Sequence, residues 1–249
     1  MLSSVGWAAL GVGFIFLMTS LGAASVLFCR EDASIKSQTG MMGFAGGVMT
    51  AATVWSMLLP AIEQTRSEGT LPCWLPAAAG TAAGAAFLCA LDALILRLRR
   101  GGSTEKSSML MTAITLHNIP EGMAVGLAFA LSGGADGLTA AAALALGIGV
   151  QNGPEGAAVS LPLRRMGMSR GRAFSMGVLS GAVEPLFGML AVMAVSGISR
   201  IMPWLLGFSA GAMLYVVVCE LIPAADDRRG LFWYIAGFLL MMILDVAPG

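Results

Sequence analysis

Eight long apolar runs constrain this chain more than any other feature of it. They fall at residues 5–28, 41–62, 72–96, 109–132, 138–163, 173–196, 201–222 and 231–246, the last being the shortest. About 20 apolar residues, rising ~1.5 Å each as a helix, cross the hydrocarbon core of a bilayer. Lipid gives bare backbone groups no hydrogen-bond partner, so runs of this kind are helical. Composition agrees, with 57% hydrophobic and 11% charged residues and a mean hydropathy of +0.83; soluble domains are near a quarter charged. The first run has no basic leader and is too long for a signal segment, so it is predicted to be a retained helix. Connections are short, which predicts a single transmembrane domain over residues 1–249. The partner implied is the lipid bilayer, and a net charge of zero gives no reason to expect nucleic acid. A homodimer is left open.

Loop charges orient the helices. Arg30 and Lys36 lie between runs 1 and 2, and Arg97, Arg99, Arg100 and Lys106 between runs 3 and 4. Arg164, Arg165, Arg170 and Arg172 lie between runs 5 and 6, and Arg228 and Arg229 between runs 7 and 8. The opposite side holds only Arg66 and Arg200. Cytoplasmic loops carry the excess of Lys and Arg, so these four loops are predicted to be cytoplasmic and both termini outside. The localisation expected is the cell membrane, as a multi-pass protein. The 33 glycines are scattered among alanines in the apolar runs, as suits helices packed closely in lipid. Of the four cysteines, Cys29, Cys73, Cys89 and Cys219, none forms a CxxC pair, and Cys89 and Cys219 are expected to be small buried thiols.

Runs 4 and 5 repeat one another. His117-Asn118-Ile119-Pro120-Glu121-Gly122-Met123-Ala124-Val125 matches Gln151-Asn152-Gly153-Pro154-Glu155-Gly156-Ala157-Ala158-Val159, with Asn, Pro, Glu, Gly, Ala and Val at the same offsets. The two runs cross the membrane in opposite directions, and inverted repeats with proline-interrupted helices are a transporter signature. A fainter echo relates Phe44, Gly47, Met49 and Leu59-Pro60-Ala61 to Phe208, Gly211, Met213 and Ile222-Pro223-Ala224, with a slip of one residue between the two parts.

Glu121 lies roughly 18 Å into run 4, Glu184 about 16 Å into run 6, and Glu155 just past the middle of run 5. An acid at such depth costs roughly 2.5–3.5 kcal/mol on insertion scales, and no Lys or Arg lies inside the runs to offset three of them. Either protons or cations must neutralise them. Pro120 and Pro154 each remove one helical hydrogen bond, freeing the carbonyls of Leu116 and Val150 as further oxygen donors. His117 and Glu121 share a helix face, as do Gln151 and Glu155. One imidazole, three carboxylates and three side-chain amides suit zinc, iron(II), manganese or cadmium better than potassium. Three negative charges match about two divalent ions with bridging carboxylates.

On these residues the whole chain resembles the ZIP (Zrt/Irt-like) metal transporters, particularly their prokaryotic GufA-like branch. The resemblance rests on the HNIPEG segment, the QNGPEG segment, Glu184-Pro185 and Cys219-Glu220-Leu221-Ile222-Pro223. It implies an all-α integral membrane protein with eight transmembrane helices in a 3+2+3 arrangement with inverted repeats and both termini outside. It further implies a binuclear centre, one ion held by His117, Glu121, Gln151 and Glu155. The second would take Asn118, Glu121, Asn152, Glu155 and Glu184, with Glu121 and Glu155 bridging. Transport into the cytoplasm is implied, with helices 1, 4, 5 and 6 moving as a block. The chain departs from relatives that carry His-Glu-x-Pro-His-Glu in helix 5, having Gln151, Asn152 and Gly156 at those polar positions. His117 is its only histidine, so the His-rich cytoplasmic loop of many relatives is absent.

Other polar residues suggest a pathway. Glu220 is placed to receive ions near the inner end of helix 7, and Glu63 to meet them at the entrance, although surface charges are the competing reading for both. Met57 and Met49 are candidate soft ligands, against ordinary packing. Asp92 is expected to pair with Arg97 or Arg99. A transporter for protons or a small solute would use the same carboxylates but leave the histidine and amides unexplained. An intramembrane hydrolase would need an HExxH-type ligand set, which the chain lacks. No enzymatic activity and no catalytic cofactor is expected, and the bound metal is cargo.

Overall fold

The computed structural model describes residues 3–28, 35–98, 105–165 and 167–247, without the side chains at 35–38, 95–98, 105–114, 116–117, 165, 196–197 and 199. Cys29, Arg30, Arg99 and Arg100 therefore lie outside the described residues, as do the side chains of Lys36, Arg97, Lys106, Arg165 and His117. Every regular element among the described residues is a helix. In chain order the elements are α1 (Ser4–Phe28), α2 (Ile35–Ala52), a π-helical segment (Thr53–Leu58), α3 (Leu59–Glu68), α4 (Leu75–Leu98) and α5 (Glu105–Leu131). Then follow α6 (Gly134–Arg165), α7 (Arg170–Gly181), α8 (Val183–Met193), α9 (Val195–Val216), a second π-helical segment (Val217–Leu221), α10 (Ile222–Ala224) and α11 (Arg228–Val246).

These elements make eight spans. Seven stretches among the described residues are long and apolar enough to cross a membrane, and the eighth, α5, contains the shorter apolar stretch Asn118–Leu131. The second span is α2, the first π segment and α3. The sixth is α7 with α8, and the seventh is α9, the second π segment and α10. Large apolar side chains such as Leu10, Leu17, Phe87, Leu186, Phe232 and Ile243 point outward, as a surface solvated by lipid requires. This is an all-helical, multi-pass membrane protein.

The two π segments explain the faint echo between spans 2 and 7. Each ends two residues before a proline, just ahead of Leu59-Pro60 and Ile222-Pro223. A proline has no N–H to donate and its ring presses on the carbonyl four residues back. Widening the preceding turn relieves that pressure. The N–H of Leu59 accordingly donates to Val54 O and that of Ile222 to Val217 O, each five residues back. The first π segment has 6 residues and the second 5, and the one-residue slip in the sequence match falls in the stretch that contains them. Span 6 is interrupted differently. Ala182 closes α7 by donating to Val178 O and Leu179 O, and α8 restarts with Glu184 in its first turn and Pro185 directly after it. That turn presents unpaired N–H groups, and a carboxylate is favoured there.

Spans pair in a pattern that repeats. Span 1 packs on span 5 as span 6 packs on span 4, and span 2 packs on span 8 as span 7 packs on span 3. Glycines set the separations. A side chain on Gly47 would strike the Tyr234 carbonyl, and one on Gly211, its counterpart, would strike the Thr81 carbonyl. Gly211→Val should therefore lower stability by about 1–3 kcal/mol, read as a lower melting temperature in detergent. Gly13, by contrast, has nothing within 4 Å of an added Cβ. Gly13→Ala should leave the melting temperature unchanged or raise it slightly.

Candidate metal centre

The repeated motif does two jobs, and its glycine does the first. A side chain on Gly122 would collide with the backbone of Glu184, and one on Gly156 with the backbone of Thr19. Glycine at these points lets span 4 close on span 6 and span 5 close on span 1. The polar residues of the motif are thereby drawn into one place. Asn118, Glu121, Gln151, Asn152, Glu155 and Glu184 are all fully buried, each with 0% exposure.

Their contacts link one span to the next. Gln151 Nε2 donates to Glu121 Oε1 at 2.6 Å, joining spans 5 and 4. Asn118 Nδ2 donates to the Ser180 carbonyl at 3.1 Å, joining spans 4 and 6, and its side chain faces the Glu155 carboxylate. Glu184 lies near enough to Glu155 for their charges to interact, and Asn152 faces Glu184. Thr19 Oγ1 of span 1 donates to Glu184 Oε1 at 2.8 Å. Four spans thus contribute to one buried polar cluster.

Several oxygens and nitrogens there are held without being used. Asn118 Oδ1, Gln151 Oε1, both amide atoms of Asn152 and Glu184 Oε2 are buried with no hydrogen-bond partner among the described residues. A buried polar atom left in this condition costs about 1–3 kcal/mol, so a cluster of them is poised for something else to bind. Oxygen donors around closely placed carboxylates are suited to a divalent cation. Among the described residues, no three His, Cys, Asp or Glu side chains form a metal-holding group by themselves; an ion bound here would draw on amide oxygens too.

Two cavities approach the cluster from opposite ends of span 2. One of about 440 Å³ lies at its C-terminal end, with Gln64, Ser67 and Glu68 at the mouth and Ser56 and Ala124 further in. Ala124 is one turn from Glu121. The other, of about 810 Å³, lies at the N-terminal end beside Gly40, Met41, Arg229 and Trp233, and reaches Gly153 and Pro154.

The remaining candidates are dispersed. Met57 and Met49 are buried in the apolar core. Glu63 is exposed and does not line the cavity that Gln64 and Glu68 border. Glu220 sits partly buried in the second π segment. Asp92 accepts a hydrogen bond from Tyr215 Oη at 3.0 Å; of its expected partners, Arg99 and the Arg97 side chain lie outside the described residues. Cys89 and Cys219, expected to be buried, are exposed on the flank of the bundle. Lipid outside and packed side chains inside are equally apolar, so hydropathy alone could not assign these thiols to one side. Two features had no sequence signal. Thr19 looks like any threonine in an apolar run, and Ser56 Oγ donates to Asp245 at 3.0 Å across spans 2 and 8.

Comparison with known proteins places this architecture. The family model described as ZIP Zinc transporter matches residues 99–245. The chain is similar to the zinc transporter GufA of Myxococcus xanthus, 39% identical over 248 residues that cover 93% of this chain and 94% of that one. It is 37% identical to the zinc transporter ZIPB of Bordetella bronchiseptica over 273 residues, covering 98% and 82% of the two chains. Zinc transporter ZIP11 of Homo sapiens is 34% identical over 342 residues, covering 99% and 98%. With its repeated Asn-x-Pro-Glu-Gly segments buried between helices and full-length similarity to these proteins, the chain belongs to the ZIP family of transporters, in the GufA-like branch.

Proposed function

We propose that this chain carries divalent metal ions, zinc first, across the cell membrane into the cytoplasm through a buried centre that holds two ions. The observation that carries the reading is the full burial of Glu121, Glu155 and Glu184 with three amide side chains on spans that pack together, in a family whose named relatives are zinc transporters. One ion is held by His117, Glu121, Gln151 and Glu155. The other is held by Asn118, Glu121, Asn152, Glu155 and Glu184. Glu121 and Glu155 bridge the two, so the negative charge of three carboxylates is shared by about two divalent cations. With oxygen outnumbering nitrogen, cadmium, iron(II) and manganese are admitted beside zinc.

The pairing of spans supports the mechanical part of the reading. Spans 1, 4, 5 and 6 pack into one group that carries the whole cluster, while spans 2 and 8 and spans 3 and 7 pair around it. Movement of the first group against the second would open the cluster to one cavity and close it to the other. With the basic loops in the cytoplasm, the Gln64–Glu68 end is the entrance and the Arg229–Trp233 end the exit. Glu220, on span 7, stands at the inner end as an acceptor for departing ions.

Proteoliposomes containing the protein should take up zinc, and Glu121→Ala should cut the rate at least about tenfold, since even outer-shell changes cost 10–100-fold. Wild-type flux in that variant would remove Glu121 from the pathway. Glu184→Ala should weaken one ion far more than the other. Cells expressing the chain should accumulate zinc; depletion would reverse the direction. Tags added at either terminus should be cut by protease applied to intact spheroplasts, and protection of both would invert the topology.

A further inference from the structure

Thr19 contributes a side chain to the buried cluster, although neither the motif nor the ligand sets include it. Its place follows from the internal symmetry. Gly122 and Gly156 are the same glycine of the repeated motif, and a side chain on each would first strike a backbone carbonyl in a neighbouring span: that of Glu184 for the first, that of Thr19 for the second. The relation that exchanges spans 4 and 5 therefore also exchanges spans 6 and 1, in keeping with the matched pairing of spans, and Thr19 occupies the position of Glu184 in the other half. The chain puts a carboxylate at one of these two positions and a hydroxyl at the other.

The two side chains meet. Thr19 is fully buried, with Oγ1 at 2.8 Å from Glu184 Oε1 and at 3.2 Å from the Ile15 carbonyl. One hydroxyl proton serves one acceptor at a time. A charge-assisted bond to a carboxylate is shorter and roughly twice as strong as a neutral one, so the proton goes to Glu184. The threonine methyl takes the space that a side chain on Gly181 would need, 2.7 Å from an added Cβ. With Oε1 engaged, Oε2 of Glu184 is the oxygen left without a partner.

We infer that Thr19 is a positioning residue for the second ion: it holds one oxygen of Glu184 so that the other faces the metal. The inference rests on the two-ion reading proposed above. Its test uses the full-length protein in nanodiscs, with zinc and cadmium binding measured by equilibrium dialysis. The wild-type protein should bind two ions per chain, and Glu184→Gln identifies which binding class is the second. Thr19→Val, close in size and without the hydroxyl, should weaken that class about 10–100-fold and leave the first within about threefold. Thr19→Ala should do the same, which keeps the test open if the valine variant folds poorly. Thr19→Ser should restore wild-type binding, and Thr19→Val added to Glu184→Gln should cause no further loss. Two-ion binding at wild-type affinity in both Thr19→Val and Thr19→Ala overturns the assignment, as does a serine variant no better than valine. A wild-type protein that binds one ion fails the two-ion reading itself, and does so before any substitution is made.

Discussion

An acid placed in the hydrocarbon layer costs about 2.5–3.5 kcal/mol to insert, and this chain buries Glu121, Glu155 and Glu184 there with no exposure. Most of the architecture is arranged around that burden. Gln151 donates to Glu121 and Thr19 to Glu184, the restart of span 6 gives Glu184 a helix N-terminal turn, and asparagines line the gaps. These contacts satisfy some of the carboxylate oxygens and leave Glu184 Oε2 and several amide atoms without a hydrogen-bond partner among the described residues. Full satisfaction would make a rigid polar core. Partial satisfaction, inside lipid, makes a place that favours a cation.

Getting four helices close enough to share those charges depends on having no side chain at the crossings. Gly122 and Gly156 do this at the cluster, and Gly47 and Gly211 do it in the flanking pairs. Small residues substitute in lipid for the hydrophobic effect that would draw helices together in water. The same glycine therefore appears in both halves of the molecule for the same reason, which is why the motif reads Pro-Glu-Gly twice. Prolines act in parallel. They sit inside the continuous helices of spans 4 and 5 beside the glutamates, and in spans 2 and 7 they are preceded by the wide turns of the π segments.

Run length and apolarity made the eight helices legible, because lipid permits almost nothing else. The polar candidates were legible because a membrane penalises each of them: Asn118, Glu121, Gln151, Asn152, Glu155 and Glu184 stand out against apolar neighbours, and all six are fully buried. Thr19 did not stand out, since threonine in a transmembrane helix commonly bonds its own backbone, as this one also can. The π segments showed only as an unexplained one-residue slip. Cys89 and Cys219 were misplaced because hydropathy does not distinguish a lipid-facing position from a packed one, and only helix packing decides between them.

In the proposed two-ion centre, Glu121 and Glu155 lie between the ions. Crystals of the protein grown with cadmium, with data collected at a wavelength where cadmium scatters anomalously, test it most directly. Two anomalous peaks within each chain, one on either side of the Glu121–Glu155 pair and the second within reach of Glu184, are the predicted result. A single peak between these carboxylates, or cadmium bound only elsewhere in the chain, would contradict it.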